Sequence, residues 1–195
     1  MAANQARDGE RKSSLARYLA SKLVHEHNQQ MYALWSSAHQ NPKRVLRDRK
    51  LDDVAEIREI LIYALKRLAR NRVDSALQAW QDVSRRYSFG ERESGLAAKT
   101  FAIAAARREH ASRIELLDAV PQHDVDADVE RYRLREGIAE RAWEWLGRWT
   151  RTEPISDVNR LRWRYWHSRA LEELGRSEEA TAILRDLAKE RDYYG

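Results

Sequence analysis

The sequence contains no cysteine and very few chain breakers, with 7 glycines and 3 prolines among 195 residues. The missing cysteine excludes disulfides, thiol catalysis and cysteine-ligated zinc or iron–sulfur sites. So little glycine and proline argues against a turn-rich β-sandwich or barrel, and the composition excludes collagen-like and low-complexity classes. No apolar run approaches the ~20 residues of a membrane span. The first residues lack the apolar stretch of a signal peptide, which predicts a cytoplasmic protein or an internal piece of a longer exported chain.

Charge and aromatic residues are abundant. The chain carries 36 Lys and Arg against 31 Asp and Glu, a net charge of +5, together with 7 Trp and 8 Tyr. Disordered chains rarely hold so many large aromatic rings. Charges of both signs are interspersed, as on solvated helix faces. The basic excess suits nucleic acid or an anionic wall polymer, but no helix shows a one-sided Lys/Arg stripe, which argues against nucleic acid.

Apolar residues recur at spacings of three and four along most of the chain, which predicts an all-α protein. The best signal covers residues 53–70, where Ile57, Ile60, Leu61 and Leu65 share one face. We also expect helices at 14–24, 31–38, 74–83, 91–107, 111–120, 129–138, 142–149, 159–174 and 177–191. Short links between paired helices are typical of an α-solenoid, a superhelix of antiparallel helix pairs.

Three regions are expected: a polar tail at 1–11, an α-superhelical region at 12–158 and a closing helix pair at 159–195. In the closing pair, Gly175 is placed as a left-handed helix C-cap. Ser168 and Ala180 fall where a tetratricopeptide-like pair requires small side chains, so this last pair is predicted to be tetratricopeptide-like.

Two stretches resemble the helical region of soluble lytic murein transglycosylases. The first, residues 63–80, reads YALKRLARNRVDSALQAW. The second, residues 162–195, reads RWRYWHSRALEELGRSEEATAILRDLAKERDYYG. Their order and spacing are similar to the two helix pairs of that family, of which the second closes the helical region just before the catalytic domain.

The resemblance implies a periplasmic peptidoglycan-processing protein. Enzymes of this family cut the β-1,4 bond between N-acetylmuramic acid and N-acetylglucosamine and form a 1,6-anhydro sugar. Their catalytic glutamate lies in the domain after the helical region, so this chain alone is expected to be inactive, with no catalytic residues and no cofactor. Its partners would be glycan strands and its own downstream catalytic domain. Four residues would form the interdomain junction: Arg191, Tyr193, Tyr194 and Gly195.

Two groups of residues are candidates for chemistry. Glu93-Ser94 repeats the family's catalytic Glu-Ser pair, but Gly-Leu-Ala-Ala follows it here, and a first-turn glutamate is ordinarily a helix-dipole residue. Aromatic faces stack on sugars, which makes the later tryptophans candidates for glycan contact unless they fill the core between the last helices. The candidate glycan contacts are Trp145, Trp149, Trp163, Trp166 and Arg162. The histidines lack the spacing of a helical metal site.

The sequence is also compatible with a second class of function. A stand-alone α-solenoid could act as an adaptor that binds a protein or peptide on its concave face. A lysozyme-like segment encoded downstream and a signal peptide upstream would favour the transglycosylase reading over the adaptor.

Overall fold

A computed structural model describes residues 29–155 and 160–190, and in this part of the chain it is all-α with no strand. Ten α-helices and one short 3-10 helix follow one another in the described ranges. They are α1 (Gln29–Gln40), α2 (Pro42–Arg47), α3 (Ala55–Ala69), α4 (Val73–Val83), α5 (Glu91–Arg107), α6 (Arg113–Asp118), the 3-10 helix (Gln122–Asp124), α7 (Ala127–Ala139), α8 (Trp143–Trp149), α9 (Arg160–Glu173) and α10 (Ser177–Leu187). The predicted all-α superhelical fold is confirmed.

The helices pack mainly with neighbours along the chain. Paired helices contact each other, as in α3 with α4 and α9 with α10. In addition, α5 contacts both α3 and α7. The predicted stripe of α3 is buried, and Ile60, Leu61 and Ala64 have no exposed area. These side chains lie in the largest apolar cluster, which joins α1 to α5. Two smaller clusters hold the helices that follow.

The turn between α9 and α10 has the predicted left-handed residue. Gly175 has φ +76, its N–H donates to the Glu172 carbonyl at 3.0 Å, and the N–H of Arg176 donates to the Leu171 carbonyl at 2.8 Å. This is the Schellman pattern, which ends a helix by satisfying its last carbonyls. Ser168 and Ala180 have no exposed area, in agreement with their placement at small, tightly packed positions.

Helix α2 was not predicted. The sequence indicated only that a helix ends at residues 41–42, because proline disfavours helical backbone before it. In the structure Pro42 instead begins a new helix, and the Asn41 side chain accepts a hydrogen bond from the Arg44 N–H at 3.3 Å. Asparagine at the N-cap with proline in the first turn is a helix-start signal that could have located α2.

Several predictions lie partly or wholly outside the described residues. The helix at 14–24, the polar tail at 1–11 and the junction residues Arg191, Tyr193, Tyr194 and Gly195 belong to this group. The last predicted helix, at 177–191, ends earlier than expected. The N–H groups of Lys189 and Glu190 donate three residues back in tight turns after Leu187.

Within residues 29–155 and 160–190, none of the helices combines the length and the apolar character needed to cross a membrane.

Candidate functional site

An open groove lies between α8, α9 and α10. Its volume is about 640 Å³, large enough for one or two sugar rings. The groove is lined by Glu144, Trp145, Gly147, Arg148, Arg151, His167, Leu174, Arg176 and Glu179. Gly147 lies beside the end of α9, where a Cβ would be in ordinary van der Waals contact with Leu174 Cδ1, at 3.4 Å.

Trp145 supplies the aromatic wall of the groove. Its side chain is half-buried, and the Arg148 guanidinium carbon lies 4.3 Å from its ring centroid. The Trp149 ring lies 6.1 Å away at a tilt of 45°. Arg148 is also paired with Asp118, at 3.2 Å. The cation–π contact and the neighbouring ring therefore hold the Trp145 indole in place beside the groove.

His167 forms the floor of the groove on the α9 side. Its Nδ1 lies 3.0 Å from the Thr150 hydroxyl oxygen, and that hydroxyl donates to the Leu146 carbonyl at 2.6 Å. Because the hydroxyl proton is used on Leu146, the Nδ1 proton of His167 is the one that joins the two side chains. Burial lowers the pKa of His167, and the nearby Arg176 lowers it further. The imidazole is therefore a neutral hydrogen-bonding group at neutral pH.

Charged side chains form the rim. Arg176 donates twice to Glu179, with both N–O distances at 2.7 Å, and this pairing lowers the pKa of the Glu179 carboxyl. Arg151 is exposed and has no ion-pair partner within the described ranges. The rim thus presents both a fixed carboxylate and guanidinium groups, which suits a polar ligand with hydroxyl, amide and carboxylate groups.

The five candidate glycan contacts do not come together. Trp149 is only 7% exposed, and its indole N–H donates to Asp118 at 2.8 Å. Trp163 is 4% exposed and donates to the Thr152 carbonyl at 2.9 Å. These two rings fill the core, the alternative that the sequence left open, and present no free face to a sugar.

Trp166 and Arg162 lie on α9 but do not line the groove. The Trp166 ring is half-buried, meets Tyr165 edge-on at 5.4 Å and packs against the small cluster around Leu134. Arg162 is exposed. Of the five residues, Trp145 alone lines the groove.

A buried arginine that the sequence did not reveal connects α7 to the end of α6. Arg133 of α7 is 5% exposed and donates to the Leu117 and Val120 carbonyls at 2.9 to 3.1 Å. Its guanidinium carbon lies 5.5 Å from the Trp149 ring centroid, and burial lowers its pKa. Arg133 therefore satisfies carbonyls at the end of α6 and holds this end against α7.

Glu93 has a structural role in the first turn of α5. One carboxylate oxygen accepts from the Gly90 N–H at 2.7 Å, and the other pairs with Arg58 at 3.0 Å. Arg58 also bridges to Asp53 at 2.8 Å. Both oxygens of Glu93 are thus engaged by a helix cap and an ion pair, as the helix-dipole interpretation predicts.

The described residues contain no group of three or more His, Cys, Asp or Glu side chains placed to hold a metal ion. The comparisons with protein-family models and with curated proteins give no match.

Among solved structures, the chain is similar to an X-ray structure of an inactive mutant of lytic transglycosylase Slt from Pseudomonas aeruginosa. The two chains share 29% sequence identity with a TM-score of 0.72. The match covers 95% of this chain and 30% of the transglycosylase chain. The resemblance to the soluble lytic transglycosylase family that the sequence motifs predicted is therefore confirmed.

Proposed function

With this relationship to lytic transglycosylases as the premise, we propose that the chain is a non-catalytic superhelical region of a peptidoglycan lytic transglycosylase. In this proposal it supports a catalytic domain of the same enzyme and controls how glycan strands reach it. The observation that carries the proposal is the agreement in fold and sequence with Slt over nearly the whole chain. The location that follows from this function is the periplasm.

We assign the strand contact to the groove beside Trp145. The indole offers an apolar aromatic surface to a sugar, while Arg151, Arg176 and Glu179 can bond to hydroxyl, N-acetyl and carboxylate groups. Neutral His167 can bond to the same groups without adding charge. Trp166 and Arg162 of the same helix pair would meet the strand only where it extends beyond the groove.

The chain itself is not expected to break the glycosidic bond. General acid–base catalysis needs a carboxyl group poised in a cleft, and both oxygens of Glu93 are already engaged at the start of α5. Incubation of the purified chain with sacculi should release no 1,6-anhydromuropeptides. Their release by the chain alone would overturn the non-catalytic role.

Binding to insoluble peptidoglycan sacculi tests the strand-contact role directly. We expect the chain to sediment with sacculi and Trp145→Ala to reduce the bound fraction severalfold. Tyr32→Ala is the matched control, because Tyr32 is an exposed aromatic residue of α1 far along the chain from the groove. Equal sedimentation of wild type and Trp145→Ala would remove the groove from the proposal.

The stand-alone adaptor remains the alternative function. It predicts no retention on sacculi and no stimulation of a transglycosylase catalytic domain joined to the chain. Retention together with faster sacculus digestion by the joined protein would exclude it.

A further inference from the structure

A second surface, on α3, α5 and α7, carries a concentration of positive charge. It is formed by six side chains, which we call the cationic face: Lys66, Arg70, Lys99, Arg107, Arg131 and Arg135. Helix α5 packs against both α3 and α7, so the three helices lie side by side.

Tyr132 organises one end of the cationic face. Its hydroxyl accepts from Arg107 at 2.9 Å, and the guanidinium carbons of Arg135 and Arg131 lie 4.8 and 5.3 Å from its ring centroid. The ring itself is buried, whereas the Arg131 and Arg135 side chains remain 61% and 54% exposed. Three guanidinium groups are therefore fixed around one aromatic ring with their outer edges in solvent.

Lys66 occupies the other end. Its side chain is exposed on α3, which packs against the helix that carries Lys99 and Arg107. In agreement with this placement, desolvation and repulsion from Arg70, Lys99 and Arg107 lower the pKa of the Lys66 amine. Like charges on one surface raise its free energy in the unliganded state, and an anion bound among them would relieve the repulsion.

The carboxylates on this surface only partly neutralise the cations. Asp126 pairs with Lys99, Asp128 with Arg131 at 2.7 Å, and buried Glu136 with Arg135 at 2.6 Å. Within the described ranges, Lys66 and Arg107 have no carboxylate at ion-pair distance. The two uncompensated cations mark where an external carboxylate would bind.

We propose that the cationic face binds the carboxylates of peptide branches carried by a glycan strand. This inference rests on the proposed function for the identity of the strand, and it concerns a surface separate from the Trp145 groove. The chemistry favours carboxylates spaced along a flexible branch, since the positive groups extend over three helices. The strand would then contact the protein through sugars at α8 to α10 and through peptide branches at α3 to α7.

The test measures binding of the full chain by isothermal titration calorimetry at low salt. The probes are soluble peptidoglycan fragments, the same fragments with their carboxylates converted to amides, and a short oligoglutamate peptide. We expect amidation to weaken binding about tenfold and added salt to weaken only the carboxylate form. Oligoglutamate has no sugar, so we expect its binding to depend mainly on the cationic face and hence on Lys66 and Arg107.

The variant is Lys66→Gln combined with Arg107→Gln, which removes the two uncompensated charges. We expect it to lose oligoglutamate binding and to bind the peptidoglycan fragments about five- to tenfold more weakly. The matched control is Arg47→Gln combined with Arg85→Gln, which lowers the net charge equally at a different groove, beside Leu68 and Gln78. Circular dichroism melting confirms that each variant is folded, and Arg107→Lys tests whether charge alone suffices.

The outcomes separate the two proposals. One outcome is that both fragment forms bind equally and that the Lys66 and Arg107 substitutions have no effect. This would contradict carboxylate binding by the cationic face but would leave the proposal for the Trp145 groove unaffected. If oligoglutamate binds but the peptidoglycan fragments do not, the proposed function is wrong. The peptide branches of a glycan strand are then also wrong as the ligand of the cationic face. Tighter binding of a DNA duplex than of either peptide-bearing probe would also overturn it, in favour of a nucleic-acid surface.

Discussion

The region from α1 to α5 and the region from α7 onward are stabilised in different ways. Helices α1 to α5 share one large apolar cluster, in which Ile60, Leu61 and Leu65 are almost completely buried. From α7 onward the apolar clusters are smaller and polar groups enter the interior. The buried polar or charged residues in the described ranges all lie in this later part: Glu130, Arg133, Glu136, Thr150 and Ser168.

The difference shows that buried hydrogen bonds and ion pairs can stabilise helix packing where the aliphatic core is small. Glu136 bridges Arg113 and Arg135, and Glu130 accepts the Ile155 N–H at 2.8 Å, so charges hold chain segments that apolar contacts alone would leave loosely packed. Buried charges are costly to desolvate but penalise any arrangement that leaves them unpaired. The groove therefore sits in the region whose geometry depends most on directional bonds.

The largest expected effect comes from a substitution in the large apolar cluster of α1 to α5. Leu61→Ala should lower the free energy of unfolding by about 3–5 kcal/mol, because it leaves a cavity in the large cluster. Urea unfolding followed by circular dichroism measures the change. The control is Leu96→Ala, since Leu96 is 47% exposed and should lose little. A loss below about 1 kcal/mol for Leu61→Ala would mean that this cluster does not dominate stability.

Arg133→Met tests the polar contacts of the later region, because it removes a buried guanidinium group. It should cost about 2–3 kcal/mol, because the Leu117 and Val120 carbonyls then lie buried without their donor. Arg133→Lys should recover only part of the loss, since an ammonium cannot reproduce the planar guanidinium contact with Trp149. The exposed Arg131→Met is the control. Equal stability of both methionine variants would contradict a structural role for the buried guanidinium.

Ala180→Trp tests the packing of the closing helix pair. The large ring should overpack the contact between α9 and α10 and cost about 1–3 kcal/mol, seen as a lower melting temperature. Ala182→Trp provides the comparison, because Ala182 is exposed on the same helix. An unchanged melting temperature for Ala180→Trp would show that Ser168 and Ala180 do not face each other.

The smallest expected effect is a pH dependence from His167. Burial lowers the pKa of the folded histidine below its unfolded value of about 6.5, so the unfolded chain binds the proton more readily. Stability should therefore be full above pH 6.5 and decrease as the pH falls through 6.5 toward the folded pKa. His167→Gln should flatten this slope in pH-dependent urea unfolding. His39→Gln, in the apolar region, offers the parallel test, because burial lowers the pKa of His39 as well.

Sequence periodicity located the helices because burial of one face repeats every three to four residues. The helix predicted at 53–70 is found as Ala55–Ala69, and Gly175 has the predicted left-handed backbone. The family motifs likewise identified the relationship to lytic transglycosylases. These signals are local, so they can be read without knowing which helices meet.

The site could be predicted only in part, because its geometry depends on contacts between distant residues. Nothing along the sequence distinguishes Trp145, which lines the groove, from Trp149, which is buried four residues later. The role of Arg133 depends on the end of α6 lying beside α7, a contact that composition does not encode. Helix α2 is different, since Asn41 and Pro42 form a local helix-start signal that can be recognised from the sequence alone.

The neighbour-to-neighbour packing of the helices has a consequence for how the chain folds. Among the described residues, every extensive contact between α-helices joins helices no more than two α-helices apart along the chain, so contacting residues are close in sequence. Low contact order favours rapid folding, because short loops close at small entropic cost. Each helix pair can then form on the pair before it as the chain emerges during synthesis. A break in the array should accordingly loosen one end without unravelling the other.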